Sequence, residues 1–527
     1  MRTTPAIAVA LVVMLPGSPA RAQETPVKGK IAAVDLFKNG LAVVRYEVTL
    51  GKPGAYVLDD VPRPVHGTYY VESDGPIEAA VQMREVDVPA AETLPGNLQE
   101  DLAGRKVTVN FKGDRRPPVV GTMMKLKPAR GDEAAAASRF LVIQTTKGRV
   151  YVDASEVSSV EAEDAGDTVK RMRPRLVLTL GATDKPQTRV AIRYLAHGLA
   201  WAPSYRVDIT DPKTLALEQN AVVRNELADL DAADVRLISG YPSVQFAHVL
   251  SPLSPRTGWA AFFQQLNSGP PRGADLTYNS VVTQNPAGNF RTGAFELALG
   301  AIPTGEGVDL HYQPIGKRTL AEGDSLALTV ARGRADYERV VEWLIPDTRD
   351  ESGQYDRRGR AEDENDAPWD ALKFKNPLAF PLTTAPATVT AGGQFNGQRT
   401  IYWTNVGEET LLRVSKALSV RTRAVEHEQQ AKDPSARELV WVGGRQYRRA
   451  TVAGELSVSN HRKETVQLVI RRRLSGELVQ AEGAPKSSLR EEGVFSINPH
   501  YELLWTMPLK PGEERTLKYT YTVLVPH

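Results

Sequence analysis

The chain of 527 residues contains no cysteine. That absence excludes disulfides, zinc–thiolate centres and thiol nucleophiles, and it excludes a lipid anchor on a cysteine behind a leader. Net charge is nearly lacking too, with 65 Lys and Arg against 63 Asp and Glu. Binding to nucleic acid or to an anionic membrane rests on an excess of basic residues, so a balanced chain predicts neither, while local patches stay open. After Leu15 no apolar run approaches the roughly 20 residues that cross a bilayer as a helix, which predicts that this is not an integral membrane protein. Aromatic residues make up only 7% of the sequence, which counts against the girdles of an outer-membrane barrel.

What is present starts with a leader. Arg2 precedes the apolar run Ala6 to Leu15, then come Pro16-Gly17-Ser18-Pro19 and the small triplet Ala20-Arg21-Ala22. This pattern predicts a secretory signal peptide over residues 1–22 with cleavage after Ala22, and hence an exported product, periplasmic or extracellular. Losing Arg2 and Arg21 leaves 63 basic against 63 acidic residues.

The remainder reads as mainly β, several antiparallel β-sandwich domains plus a small SH3-like or Sm-like barrel. Alternation at period two flanks Asn39-Gly40, a strong hairpin signal, and further turns at Gly51 to Gly54 and Asp74 to Pro76 make residues 23–92 an N-terminal β domain. Residues 98–165 carry four short strands, Val107 to Val109, Val119 to Lys127, Phe140 to Thr145 and Arg149 to Val152. A fifth fits at Ser155 to Glu161, and Gly121 stands where a small barrel must bend. Residues 173–250 form the first part of a further sandwich. Residues 251–310, with 14 Pro and Gly and no Lys, read as a long surface excursion. The sandwich continues over 311–440, interrupted by an acidic loop at 347–370, and 445–527 has the length and strand count of one immunoglobulin-like domain.

Within this frame the run Tyr194-Leu195-Ala196-His197-Gly198-Leu199-Ala200-Trp201-Ala202-Pro203-Ser204-Tyr205 carries a resemblance. So do Val222-Val223-Arg224-Asn225 and Asp234 to Pro242, together with Phe37-Lys38-Asn39-Gly40 and Val65-His66-Gly67-Thr68. The chain resembles the mucoidy-inhibitor-A-like family, whose C-terminal segment is domain of unknown function 4139. The resemblance implies a β-sandwich architecture and an envelope setting, and it lends no activity. Many relatives have a long heptad-patterned helix between the two β regions, where this chain has the small barrel.

Three strand-turn-strand units share a pattern: an Asn at the strand end (Asn225, Asn405, Asn460), whose side chain is placed to satisfy turn backbone groups. Gly323-Asp324-Ser325-Leu326 spells the GDSL esterase signature, but it lies between a loop and a strand, and no Asp-x-x-His follows. It reads as a turn. The eight histidines, at 66, 197, 248, 311, 427, 461, 500 and 527, show no metal-ligand spacing, and His66 and His197 sit beside glycines as turn or edge residues. Asp363-Glu364-Asn365-Asp366 lacks the glycine a calcium loop needs, with Pro368 at that place. Trp505 and Trp201 read as core, and Trp259 or Trp369, expected on loops, are the rings best placed to stack on sugars. No catalytic, cofactor-binding or metal residue is assigned and no cofactor is expected. The expectation is an exported soluble protein with a structural or binding role in the cell envelope, toward an envelope protein or glycan. The alternative is a hydrolase acting on envelope polymers or esters.

Overall fold

The computed structural model describes residues 24–89, 98–113, 116–126, 139–163, 168–240, 244–254, 257–268, 310–347, 349, 353–354, 367–429, 439–494 and 496–526. The expected signal peptide and the Asp363–Asp366 cluster lie outside them. The fold is mainly β, built of several sheets. Pairing is largely antiparallel, with four parallel ladders that the expectation of antiparallel sandwiches did not include, for instance Leu230–Ser239 on Lys30–Leu36 and Ser325–Ile345 on Val466–Ser475. Each parallel ladder joins strands far apart in sequence, which local turn signals do not reveal.

In the first sandwich a four-stranded sheet faces a six-stranded one. Tyr56, Leu58, Leu176, Leu178 and Leu180 of the smaller meet Val34, Val44, Val48, Ile192 and Val235 of the larger. Thr168–Leu180 pairs with both Ile77–Pro89 and Gly54–Leu58, and Thr188–His197 pairs with Leu41–Leu50. Strands from the segments read as 23–92 and 173–250 thus share one core. Period-two burial explains why: each alternating strand needs a facing apolar surface, and neither segment has enough alone.

One strand, Ser325–Ile345, ties the larger part together. Its 21 residues, about 70 Å at the usual rise, run past three cores. Leu326 and Leu328 pack on the first. Ala335 and Tyr337 pack on a second, made by Val207, Leu217, Phe374, Ala387 and Leu412. Val341, Trp343 and Ile345 enter a third, with Leu468, Trp505, Leu456 and Tyr521. The second core sits inside a curled sheet that stops short of closing: Glu409–Lys416 and Gln394–Ile401 approach without a ladder, so closely that a Cβ on Gly397 would lie 2.3 Å from the Val414 carbonyl. The third core shows that 445–527 does not complete its own sandwich, because three of its apolar side chains come from the long strand.

The small sheet runs in the order Gly148–Asp153, Phe140–Thr145, Val119–Met123, Lys106–Phe111, Val157–Ala162. Its two outer strands do not pair, so the expected barrel is an open five-stranded sheet around Val107, Val109, Met123, Leu141, Ile143 and Val152. Gly121 brings its strand against its neighbour: a Cβ there would lie 2.5 Å from the Gln144 carbonyl.

One corner motif occurs three times, once beside each of the three large cores. Asn225 Nδ2 donates to the carbonyls of Ala228, Leu320 and Ala321 at 2.8–3.0 Å, and its Oδ1 accepts from Leu227 N. Asn376 does the same with Phe380, Thr404, Asn405 and Leu378, and Asn460 with Glu464, Leu509, Lys510 and Arg462. Opposite each lies a turn closed by a left-handed glycine, Gly323, Gly407 or Gly512. An acid follows the glycine and accepts from the turn's first N–H: Asp324 from Ala321, Glu408 from Asn405, Glu513 from Lys510. At the second corner Asn376 takes the place expected of Asn405, which contributes a backbone carbonyl.

Candidate functional site

The GDSL-like motif is the first of these turns: Gly323 N donates to the Asn225 carbonyl and Asn225 N to the Asp324 carbonyl. Ser325 begins the long strand and accepts from Arg224 Nη1. A different Ser, His and Asp do meet, in the third sandwich. Ser475 Oγ lies 3.0 Å from His500 Nδ1, and Asp347 Oδ2 takes the serine proton in a short bond while standing 3.8 Å from that same Nδ1. A charge-stabilised triad needs Ser and Asp on opposite ring nitrogens, with the serine proton given to His. Here the Ser is buried and donates to the Asp, which is an anchor for the strand end. Nearby Arg472, 1% exposed, gives Nε–H to Tyr519 OH at 2.9 Å and a second hydrogen bond to Glu426. Burial opposes its charge, yet Tyr519 and the Glu426 and Asp347 carboxylates hold its pKa above the ordinary value. This is a satisfied polar core. Among the described residues no group of three or more His, Asp or Glu is arranged to hold a metal ion.

The residues of the resembling motifs do come together. Phe37, Leu41, Val65, Leu195 and Ile238 form a small core at one end of the first sandwich, with Val244, Ala247 and Leu310 packed on it. Val65 N donates to the Leu195 carbonyl, Leu195 N to Thr68 Oγ1, and buried Trp201 Nε1 to the Ile238 carbonyl at 3.1 Å. The hairpin tip beside this core sends Lys38 across to the second sandwich, where Nζ donates to the Thr384 carbonyl at 2.8 Å. Burial lowers its pKa to about 7. Tyr205 OH joins the same junction, donating to the Thr383 carbonyl and accepting from Thr383 N.

Over this core folds the segment 244–268, held by main-chain bonds from His66 N to the Val249 carbonyl and from Ser251 N to the Pro64 carbonyl. His197 Nε2 reaches the Ala247 carbonyl at 2.8 Å. The segment ends in a helix, Trp259–Asn267, inside the stretch read as an irregular excursion; residues 269–309 of that stretch lie outside the described ones. Phe262 is the anchor, 5% exposed and edge-on to the His66 ring at 4.8 Å. His248 Nε2 meets the carbonyls of Gln265 and Ser268, and Gln265 Oε1 accepts from Leu250 N. On the outer side Trp259 and Phe263, 65% and 52% exposed, stack at 5.6 Å and 25°, and exposed Phe246 stands edge-on to the His66 ring at 6.4 Å. The helix carries no charged residue, and its Gln264 and Asn267 are exposed.

Of the two tryptophans expected on loops, Trp259 thus stands exposed on a helix. Trp369 is corrected: it begins a strand, is 3% exposed, and lies beneath the Arg399 guanidinium at 4.2 Å. The aromatic partners of Trp259 are hidden in the sequence because Phe262 and Phe263 fall in a stretch dominated by Pro, Gly and Asn. The spacing Trp259, Phe262, Phe263, Leu266 is the helical signal that marks them. No protein-family model matches the chain, and no curated protein does.

Proposed function

We propose that the chain is an exported cell-envelope binding protein of the mucoidy-inhibitor-A-like kind, and that its cap of Trp259, Phe263 and Phe246 takes a neutral glycan. The observation that carries this is the exposed Trp259–Phe263 stack. Large aromatic rings left in water cost free energy unless a partner covers them, and their flat apolar faces suit the C–H faces of sugar rings. Side-chain amides at Gln264 and Asn267 offer hydrogen bonds to hydroxyls, and a charge-free helix favours an uncharged ligand. The mounting also supports the reading: Phe262, His66, His248 and Gln265 fix the helix before any ligand arrives, so little ordering entropy opposes binding. The resemblance belongs to the same proposal, supported by its motifs meeting beneath the cap.

The test is co-sedimentation of residues 23–527 with insoluble envelope polysaccharide, alongside tryptophan fluorescence with soluble neutral oligosaccharides. Wild type is expected to bind with a fluorescence change, and the W259A/F263A double variant to lose about tenfold or more in affinity at unchanged fold. Equal binding by the variant, or no binding by wild type, would sink the proposal.

A further inference from the structure

A second surface lies on the outer face of the large sheet, beside the third core. Arg413 Nε donates to Glu342 Oε2 at 2.8 Å, and Arg471 reaches both Glu342 and Glu502 at 3.4 Å. Arg473 and Arg490 complete the set on Glu502 at 3.0 and 2.7 Å. The two carboxylates are 5% and 4% exposed, while the side chains of Arg413, Arg471 and Arg473 keep 25%, 35% and 21% of their surface. Four guanidiniums surround two carboxylates, so among these described residues positive charge is in excess. The guanidiniums hold the Glu502 pKa below its ordinary value although burial pushes it up. Buried counter-ions therefore fix the forks in place without neutralising them, in a molecule that is balanced as a whole.

The same face is partly apolar. Leu344 and Leu504, both half-buried, are the register partners of Arg471 on its two sides, and exposed Lys486 is the partner of Leu504. The strands here are paired along their length, so recognition falls to side chains.

We infer that this face docks an acidic segment of a partner protein, with Asp or Glu carboxylates on the Arg413–Arg471–Arg473 row and apolar side chains on Leu344 and Leu504. Planar guanidiniums take carboxylates two bonds at a time, and charge complementarity sets the sign of the partner. The leucines between them favour a polypeptide over a polysaccharide, which has no apolar side chains to offer.

The experiment is fluorescence anisotropy of the full mature chain with a short labelled peptide of alternating Glu, Asp and Leu. Its Gln and Asn counterpart and polygalacturonate serve as competitors. The acidic peptide is expected to bind, to weaken steadily with added salt, and to be displaced by neither competitor. R471Q/R473Q is expected to lose about tenfold in affinity, and R471K, which keeps charge but not the fork, to lose part of that. Because the salt dependence is read on wild type, a variant that misfolds does not remove the test. Absent binding, binding indifferent to salt, or displacement by polygalacturonate would overturn the inference. So would binding that emerges only after D363N/E364Q/D366N, because the chain's own acids would then be the occupant.

Discussion

Asn225, Asn376 and Asn460 each satisfy three carbonyls and one N–H, and each is nearly or wholly shielded from water. Alanine at any of them strands these backbone groups, at about 1–3 kcal/mol for each that water cannot reach. N225A, N376A and N460A are therefore expected to lose about 3 kcal/mol each in denaturant titrations. N460D should fare no better, since a carboxylate has no protons for three carbonyls. N405A, at an exposed position whose side chain accepts from Trp403 Nε1, should stay within about 0.5 kcal/mol. Equal losses at Asn405 and Asn376 would contradict the corner. Lys38 gives a prediction in pH. Its folded pKa, about 7, lies below its ordinary 10.5, so between these values the unfolded chain holds a proton that the folded chain lacks. Stability then rises with pH across that window and is lowest below it. The total gain is about 5 kcal/mol at most. In K38M the rise should flatten relative to wild type when denaturation midpoints are followed from pH 7 to pH 10.5; parallel curves would show that Lys38 is not the titrating group.

At the scale of elements, the sequence is most legible where period-two alternation lies between turn residues. The hairpin at Asn39-Gly40 and the strands flanking Trp201 and Trp505 follow from that pattern, because alternation maps directly onto one buried face. The long strand was legible only at its ends, Leu326 to Val330 and Glu338 to Ile345. Its middle, Ala331 to Tyr337, carries Arg332, Arg334 and Asp336 outward, and these charges resemble a loop until three separate cores are known to share the strand. The corner at Asn376 was hidden for a related reason: Pro377 follows it and its partner turn lies at 404–408, so the unit's two halves stand apart in sequence. The aromatic cap shows the same limit. The stacking of Trp259 on Phe263 follows from helical spacing, but the seat of Phe262 on His66 is a contact between positions nearly 200 residues apart, which spacing alone does not encode.

For the whole molecule, the long strand makes the three large cores interdependent, whereas the small sheet hangs from the end of a hairpin. Ile77–Pro89 and Thr168–Leu180 pair without interruption from Ile77 opposite Leu180 to Pro89 opposite Thr168, and residues 98–163 are inserted between those last two. The small sheet has its own core, and its ties back among the described residues include an ion pair of Arg171 with Asp101, a bond from Arg105 Nη2 to the Thr168 carbonyl at 3.4 Å, and a contact of Lys125 Nζ with Glu85 at 3.8 Å. Replacing residues 90–167 by Asn-Gly should therefore close the two arms as an ordinary two-residue hairpin. The shortened chain is expected to keep the cooperative unfolding of the three large cores and the glycan binding of the cap, and to lose only a separate transition belonging to the small sheet. Calorimetry of both chains reads this directly. If the shortened chain instead melts earlier as a whole, the small sheet braces the first sandwich through contacts beyond that hairpin.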